Sequence, residues 1–513
     1  MKKRAAVLLL AGLMALSLTA CGSKKTQPVK AGEEGVSQQT DGTEESDQAD
    51  SSSTSSTNSQ SASSYVTLMP DVTEEMTKAS YWSSLQDQNT GENIPSSTEQ
   101  LATSDEIEAM NQAMLADSET AMYDLENYSQ DLSSLASDLS SQAQTDLSAY
   151  AGSYYDENGA VITQDMINSI CSNISGMSTG TSLQYAVCVK RSELKCWPTS
   201  KIITDEAGDT NFDYSTASFV RVNEPALVLG SSADGAFYYL VTYTYKGWVS
   251  RDAVAICSSA EEWKNAWQID QSVMAVITAD KLYLESSNVD AASSNLLLTM
   301  GTQLEIATDS GRADTIGNRN AAQNLVVYIP TRTENGSYQK TKALISQSEL
   351  NEGNVSIGFL PMTTENILNQ SFKYLGDCYG WGGMLNSVDC SGLARDVYAC
   401  FGLMMPRDSS KQAAAPAFSY DVSGSSNQDK KADLEQVPAG SLVYFPGHEM
   451  IYLGEVNDHY YVISAVSTIN ASDGGSGRIR SVVISTLDGT MRGSGNSWLG
   501  DLTSIQIPYK KAE

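Results

Sequence analysis

The stretch YGWGGMLNSVDCSGLARDVYACFGLMMPRDSSKQ, residues 379–412, sets the expected fold and chemistry of the chain. Cys390 stands in it directly before apolar residues at positions 393, 397, 400 and 401, a spacing that places them on one helix face. Cys390 is therefore expected at or near a helix N-terminus, where unpaired N–H groups and the helix dipole stabilise a thiolate. The thiolate is the form of cysteine that attacks carbonyl groups, so the stretch predicts a nucleophile.

A base for this thiol has few candidates, because the chain contains two histidines. His448 follows a Pro-Gly turn and opens an apolar strand, and Asn457-Asp458 predicts a tight turn into a second strand. In that antiparallel hairpin His448 lies near Ser464, whereas His459 lies beside the turn. We therefore predict His448 as the base and His459 as an exposed residue.

The first 20 residues are a targeting segment. A basic start at residues 2–4 precedes an apolar run at residues 5–18, and Leu18-Thr19-Ala20-Cys21 supplies a small-residue cleavage site. This ending resembles the lipobox of bacterial lipoproteins, and the resemblance implies a diacylglyceryl thioether on Cys21. The protein is then expected outside the cytoplasm, anchored in the lipid bilayer and facing the cell wall. A plain signal peptide is the alternative.

Composition separates a tether from the folded part. Residues 21–64 are rich in Ser, Thr and acidic side chains, and such a segment buries too little apolar surface to fold, so it is predicted to be disordered. The chain carries 32 basic and 62 acidic residues, a balance that argues against nucleic acid as a partner.

Residues 65–176 are predicted to be an acidic helical region. Thr103 with Glu106 forms a capping-box pattern at the start of an apolar period. Apolar residues at positions 122, 125, 132, 135 and 139 predict one further amphipathic helix, which we expect in a helical hairpin that packs on the rest of the protein.

Short apolar runs separated by Gly, Asn, Asp and Ser follow, and this pattern predicts two small β-barrels at residues 177–265 and 266–357. A polar loop is expected around Ser310–Gln323. The predicted strands are 185–189, 218–222, 227–229, 237–243 and 248–249 in the first barrel, and 273–278, 282–284, 296–300, 303–307, 325–329 and 342–345 in the second.

Several motifs in these regions resemble those of multidomain wall hydrolases. The runs that begin at Arg191 (RSELKCWPT) and at Tyr245 (YKGWV) resemble the first bacterial SH3 domain that precedes an NlpC/P60 catalytic domain. The second barrel occupies the position of a second such domain. Upstream, Tyr81-Trp82 and the run from Asp105 (DEIEAMN) resemble the helical N-terminal clip of the same proteins.

Four blocks at residues 379–383, 389–393, 403–409 and 447–454 resemble the signature blocks of NlpC/P60 cysteine peptidases. The resemblance implies a circularly permuted papain-like domain at residues 358–513. The expected architecture is therefore a multidomain α+β protein, with a helical N-terminal region, two SH3-like barrels and this C-terminal domain.

The resemblance also implies roles for individual residues. Cys390 is the implied nucleophile, His448 the base, and Tyr379 a donor to the oxyanion beside the N–H of Cys390. Three further residues match positions that hold the free amine of an N-terminal L-alanine: Asp389, Ser391 and Ser409. Such a pocket implies a substrate that is a trimmed wall peptide, cut between γ-D-glutamate and the diamino acid.

One position departs from the family pattern. The third member of the triad is normally His, sometimes Asn or Gln, and Ser464 stands there in this chain. A hydroxyl can accept the histidine N–H, but it carries no charge and stabilises an imidazolium weakly. Asn470, expected on the following loop, could take this place if the register slips.

The sequence lacks the motifs that metal sites and phosphate-binding sites require. The chain has no Cys-x-x-Cys, no His-Glu-x-x-His and no phosphate-binding glycine loop, so no metal and no cofactor are expected. Export permits disulfides, and Cys188 with Cys196 is the first pair to test. Cys378, beside Tyr379, could form a disulfide with Cys390 and hold it oxidised.

These observations leave three hypotheses. The first is a lipid-anchored cysteine endopeptidase whose partners are the stem peptides of peptidoglycan. The second is a catalytically weak lipoprotein that binds peptidoglycan, and Ser464 supports it. The third is acyl transfer or amidase chemistry on the same fold, since a fold does not fix a reaction.

Overall fold

A computed structural model describes residues 66–91, 94–471, 476–493 and 495–512. The predicted signal peptide, the predicted lipid-anchor residue Cys21 and the predicted tether at residues 21–64 all lie outside the described part. Residues from Met69 onward form one compact unit. Within the described ranges, no helix has the length and apolar character needed to cross a membrane.

The N-terminal region is helical, as predicted. The capping box is confirmed: Thr103 Oγ1 accepts the Glu106 N–H, and the Glu106 carboxylate accepts the Thr103 N–H at 2.8 Å. The elements are α1 (Ala79–Gln88), β1 (Gln100–Ala102), α2 (Ser104–Ala116), α3 (Leu135–Ser148) and α4 (Gln164–Ser175).

The helix predicted over residues 122–139 is wrong in its first half, because α3 begins only at Leu135. The Asp124 carboxylate accepts the N–H groups of Glu126 at 3.0 Å and Asn127 at 3.3 Å, a local bond pattern that competes with helix formation. Leu125 packs instead among side chains of the first barrel, where it is 2% exposed. A helical hairpin does exist, between α3 and α4, which pack on one another.

The first barrel is a seven-stranded antiparallel sheet in which all five predicted strands are confirmed. Two further strands, β3 and β8, are too short to show a clear pattern in the sequence. The following helix α5 (Ala260–Trp267) covers the barrel, and the indole N–H of its buried Trp263 donates to the Ala186 carbonyl. The strands run in the order β4-β3-β7-β6-β5-β2-β8, with bounds β2 (Gln184–Cys188), β3 (Ser192–Lys195), β4 (Thr216–Val220), β5 (Pro225–Ser231), β6 (Phe237–Val241), β7 (Lys246–Ser250) and β8 (Val254–Ile256).

The second barrel is built on a five-stranded sheet in the order β16-β15-β12-β9-β17, and its six predicted strands are confirmed. The segment expected as a polar loop at Ser310–Gln323 contains a small hairpin, β13 with β14. The bounds are β9 (Met274–Ile277), β10 (Lys281–Tyr283), β11 (Leu297–Thr299), β12 (Gln303–Ile306), β13 (Thr315–Ile316), β14 (Arg319–Asn320), β15 (Asn324–Arg332), β16 (Tyr338–Ser346), α6 (Gln347–Asn351) and β17 (Val355–Ile357).

The C-terminal domain places helices on an antiparallel sheet of order β19-β25-β20-β21-β22-β23. The predicted hairpin is confirmed: Asn457 and Asp458 both have positive φ, as a two-residue turn of this kind requires. The elements are β18 (Met362–Thr363), α7 (Thr364–Phe372), α8 (Cys390–Ala399), α9 (Ser409–Ala413), β19 (Ala417–Asp421), α10 (Asn427–Leu434), β20 (Leu442–Phe445), β21 (His448–Val456), β22 (His459–Ala471), β23 (Ser476–Thr486), β24 (Thr490–Met491), α11 (Trp498–Asp501) and β25 (Ser504–Lys511).

Helix α1 joins the N-terminal region to this domain. The fully buried Trp82 packs on the ring of Tyr461 at a centroid distance of 5.2 Å. Gln86 donates to the Thr364 hydroxyl at 2.9 Å and accepts the N–H of Ala439 at 2.8 Å. Because these polar contacts are buried and satisfied, they fix the orientation of α1 on the domain.

The first barrel docks against the loop that precedes Cys390. Gly382 and Gly383 have φ values of 61° and 93°, and a Cβ at Gly383 would lie 2.0 Å from the Phe219 ring. Glycine is therefore required at Gly383 for the backbone and for the close approach. The Arg191 guanidinium lies 4.2 Å from the centroid of the same ring and donates to the Gly383 and Ser387 carbonyls.

Gly383→Ala tests this docking, and Gly376→Ala is the matched control. Gly376 also has positive φ, 89°, but a Cβ there meets nothing within 4 Å. The control should lose about 1–2 kcal/mol of unfolding free energy through backbone strain alone. Gly383→Ala should lose about 1–3 kcal/mol more through the clash with Phe219, measured by urea unfolding. Equal losses in the two variants would contradict the close approach.

Candidate active site

Cys390 is the first residue of α8, and Asp389 caps this helix. The Asp389 carboxylate accepts the N–H of Gly392 at 2.8 Å and that of Gly382 at 3.0 Å. The prediction that Cys390 lies at a helix N-terminus is confirmed. The apolar face predicted for this helix is also confirmed, because Leu393 and Val397 are buried in the core of the domain.

Arg407 completes the bonding of Asp389. Its guanidinium donates to both carboxylate oxygens, at 2.6 and 3.2 Å, and also to the hydroxyls of Ser391 and Ser218 at 3.0 Å. Burial would raise the pKa of the Asp389 carboxyl, but the charge and hydrogen bonds of Arg407 hold it below its usual value. Ser218 belongs to β4, so this ion pair also ties the first barrel to the Cys390 helix.

The residues predicted for an amine pocket lie around α8 and α9, but two of them already form hydrogen bonds with Arg407. The Asp389 carboxylate and the Ser391 hydroxyl are both bonded to Arg407, while Ser409 begins α9 and is partly exposed. Asp408 was missed, although it stands within the third motif block. Its carboxylate is exposed and, among the described residues, makes no hydrogen bond or ion pair, which leaves it available to a cation.

The surroundings of Cys390 raise the pKa of its thiol. Burial raises its pKa first, and the negative charges of Asp389 and Glu449 raise it further, whereas the N–H groups of Glu449 and Ser391 act in the opposite direction. The net shift of this pKa is therefore opposite to the one expected from the helix N-terminus. Favourable N–H groups are present, but desolvation and two neighbouring carboxyl groups outweigh them.

His448 opens β21 and contacts Ser464, as predicted, with 3.3 Å between Nε2 and the hydroxyl oxygen. Its ring lies 5.3 Å from the rings of Phe445 and Trp498. Burial, followed by the charge of Arg492, lowers the pKa of His448 to about 3. His448 is thus neutral, and when Nε2 donates to Ser464 the other nitrogen, Nδ1, carries a lone pair that can accept a proton.

Neither Asn470, the alternative orienting residue, nor His459, the other histidine, lies beside His448. Asn470 lies within β22 rather than on a loop, roughly 20 Å along the strand from Ser464 at 3.3 Å per residue. His459 lies at the opposite end of β21 and β22, where its Nδ1 is 2.6 Å from the Asp488 carboxylate. It is half exposed, as predicted for a residue beside the turn.

Cys390 and His448 are brought close without a direct bond. The thiol lies against the N–H of Glu449, the residue after His448, yet in the described part of the chain no hydrogen bond joins the thiol to the imidazole. Tyr379 runs beside Val388 through a parallel backbone bridge, and its buried ring stacks on Phe212 at 6.4 Å. Catalytic bonds of this kind often tighten only when substrate binds.

Glu449 is a buried carboxyl that the sequence pattern did not single out. Its side chain is 1% exposed, and neither carboxylate oxygen has a hydrogen-bond partner in the part of the chain that the structure describes. Burial and the charge of Asp389 raise its pKa well above the usual value. The strand alternation would place an apolar residue here, so the signal was an acidic residue directly before the apolar run 450–453 of β21.

The cysteines other than Cys390 form no disulfide among the described residues. Cys188 and Cys196 are both free and lie in separate apolar clusters, so the structure does not support a disulfide between them. Cys378 is exposed and free. In the described ranges no cluster of three or more His, Cys, Asp or Glu side chains is arranged to hold a metal ion.

Substitution of Glu449 separates its effect on stability from its effect on the thiol. Glu449→Met should gain about 1–3 kcal/mol of unfolding free energy, because a buried unpaired polar group is removed. Glu449→Gln keeps the polar burial and should gain little.

In both Glu449 variants the repulsion of a thiolate is lost, so the thiol pKa should fall. Alkylation of Cys390 at pH 8, followed by peptide mass mapping, should accelerate about tenfold for each unit of that fall. The exposed Cys378 is the internal control. Unchanged alkylation of Cys390 in both variants would show that Glu449 does not influence the thiol.

Two segments of the chain match protein families. Residues 376–474 match the NlpC/P60 family, and residues 203–250 match the SH3 domain of the SH3b1 type. The first segment contains Cys390, His448 and Ser464. The second lies in the first barrel and includes the strand β4, which contacts the loop before Cys390.

Two curated proteins are similar to a short part of the chain. Dipeptidyl-peptidase 6 from Lysinibacillus sphaericus is 29% identical over 92 residues, which cover 18% of this chain and 30% of that protein. The bifunctional muramidase/DL-endopeptidase CwlT from Bacillus subtilis (strain 168) is 31% identical over 100 residues, which cover 18% of this chain and 26% of that protein. The chain thus spans less than a third of either relative.

A solved structure of an NlpC/P60 endopeptidase from Photobacterium damselae subsp. piscicida covers 83% of this chain and 97% of its own, with a TM-score of 0.64. Sequence identity is 18%, so this likeness concerns the fold. The resemblance extends well beyond the C-terminal domain to the regions that precede it.

Proposed function

The C-terminal domain belongs to the NlpC/P60 family, and from this premise we propose that the protein is a cysteine endopeptidase of the bacterial cell wall. Its substrate would be a peptidoglycan stem peptide with a free N-terminal L-alanine, cut between γ-D-glutamate and the diamino acid. The observation that carries the proposal is the position of the Cys390 thiol, which lies against the N–H of the residue following His448.

The proposed reaction uses the neutral pair. His448 Nδ1 takes the thiol proton as the sulfur attacks the γ-glutamyl carbonyl, and the N–H of Cys390 with Tyr379 stabilises the oxyanion. The imidazolium then gives its proton to the leaving amine of the diamino acid, which leaves a thioester. Water, deprotonated by the same imidazole, hydrolyses the thioester and restores the thiol. Ser464 orients His448 by accepting its Nε2–H.

Asp408 supports the specificity for a free amine. Its side chain is exposed and, among the described residues, makes no hydrogen bond or ion pair. An ammonium group on the substrate would neutralise this charge. In this arrangement Asp389 and Ser391 act indirectly, by holding Arg407 beside Asp408, and Ser409 offers its hydroxyl at the start of α9.

Defined stem peptides test the proposal. The form without residues 1–64, incubated with tripeptide and tetrapeptide stems, should release L-Ala-γ-D-Glu, identified by mass. N-acetylated stems should be cut at least about tenfold more slowly, because they lack the ammonium group.

Two cysteine variants control that assay. Cys390→Ser should release no product, whereas Cys378→Ser, which removes an exposed thiol outside the site, should retain activity. Absence of product from any stem at high enzyme concentration would overturn the proposal.

A catalytically weak wall-binding protein is the second candidate, because Ser464 offers His448 no charge and the surroundings of Cys390 raise the pKa of its thiol. Under this alternative the protein would pellet with insoluble wall, Cys390→Ser would leave the pelleting unchanged, and no stem would be cut.

We also propose that Cys21 anchors the protein in a bacterial membrane, facing the cell wall, through a thioether-linked lipid. The Leu18-Thr19-Ala20-Cys21 sequence supports this location. Cys21→Ser should move the protein from the membrane fraction to the soluble exported fraction. The mass of the N-terminal peptide separates this release from retention by an uncleaved leader, and an unmodified Cys21 at the mature N-terminus would contradict lipidation.

A further inference from the structure

A groove of about 570 Å³ opens between the two barrels and the loop that precedes Cys390. Lys190 and Arg191 line it from the first barrel, Tyr283 and Arg332 from the second, and Asn386 from the loop. Volumes in this range accommodate small ligands or a few residues of a peptide. The groove is separate from the cluster formed by His448 and Ser464.

The groove is cationic in a strongly acidic protein. In the described part of the chain no carboxylate lines it, although acidic residues outnumber basic ones by 62 to 32 overall. Arg332 donates to the carbonyls of Val254 and Thr333, and neutral carbonyls leave its charge uncompensated. Lys190 is paired with Asp252, but the pair is exposed and therefore weak.

Arg191 adds a second uncompensated charge. Its terminal nitrogens donate to the Gly383 and Ser387 carbonyls and to the Asn386 side chain, all neutral acceptors. Its Nε is buried and has no partner. Two guanidinium groups without carboxylate partners favour anions with planar oxygen pairs, which carboxylates provide.

The remaining walls of the groove are apolar. The Tyr283 side chain is 55% exposed, an unusual exposure for an aromatic ring, and Leu297 and Pro330 extend the apolar surface. This surface suits the methyl groups and backbone of a short peptide better than a phosphodiester chain, which is polar along its whole length.

We propose that this inter-barrel groove binds a peptide carrying at least two carboxylates, namely an uncut stem peptide of the wall. The identity of the peptide rests on the proposed function. The occupant would hold the protein on one strand of the wall while the Cys390 site acts on another peptide. Arg332 and Lys190 would bind its carboxylates, and Tyr283 would pack on its backbone.

The test uses the full chain carrying Cys390→Ser, so that binding is measured without hydrolysis. A tetrapeptide stem is titrated by calorimetry at low and at physiological salt. Lys190→Gln combined with Arg332→Gln removes two of the three groove charges and keeps Arg191, because its guanidinium also holds the loop before Cys390. Arg319→Gln is the matched control, because Arg319 lies on the same barrel, is exposed and pairs with Glu285 outside the groove.

We expect two classes of site in the Cys390→Ser protein. The double variant should lose one class, with affinity reduced at least about tenfold, and the Arg319 control should keep both. Hydrolysis by the protein with Cys390 intact is measured separately, so failure of the proposed function is distinguishable from failure of the groove.

Three results would overturn the inference. One is an unchanged number and affinity of sites in the double variant. Another is an equal loss in the Arg319 control, which would reduce the effect to net charge. The third is charge-dependent binding of a glycerol phosphate polymer at the groove with no binding of the tetrapeptide, which would make the occupant a phosphate polymer.

Discussion

The buried ion pair between Asp389 and Arg407 is the interaction on which the rest of the site depends. Asp389 caps the Cys390 helix and holds the N–H of Gly382, while Arg407 reaches Ser391 and, in the first barrel, Ser218. A buried pair stabilises only when its hydrogen bonds are satisfied, and here both carboxylate oxygens are. Removal of either partner would leave an uncompensated buried charge, at a cost of about 3–5 kcal/mol.

This pair makes the first barrel part of the site rather than an appended module. The barrel supplies Ser218 to Arg407, Phe219 to the loop before Cys390, and Arg191 to the carbonyls of that loop. Cys390 is therefore positioned by two domains together. Burial also raises the pKa of the Cys390 thiol, so the structure combines a fixed position of Cys390 with a raised thiol pKa.

Local patterns in the sequence predicted much of the fold. Alternating strands, the Asn457-Asp458 turn and the Thr103 capping box depend on neighbouring residues, and all three are confirmed. The helix predicted from residue 122 failed because Asp124 bonds its own backbone and Leu125 packs into a barrel distant in sequence. Periodicity cannot distinguish which of two cores an apolar residue joins.

The sequence predicted where the main residues of the site lie, but it did not predict the side chains that pack around them. The contact between His448 and Ser464 follows from the hairpin register, and the helix start at Cys390 follows from the apolar spacing. The bonding of Asp389 to Arg407 and the buried Glu449 carboxyl depend on packing between separate elements. The raised pKa of the Cys390 thiol depends on the same packing, so the helix position alone could not predict the direction of the shift.

The central claim is that Cys390 and His448 form a neutral pair at rest, and thiolate absorbance at 240 nm tests it most directly. The difference spectrum between the protein and Cys390→Ser is recorded from pH 3 to pH 11. The account predicts no thiolate signal at pH 7 and a signal that rises only above pH 9, because the thiol pKa is raised from 9.0. A full signal at pH 7 that is lost only at acidic pH would show a thiolate–imidazolium pair and contradict the account.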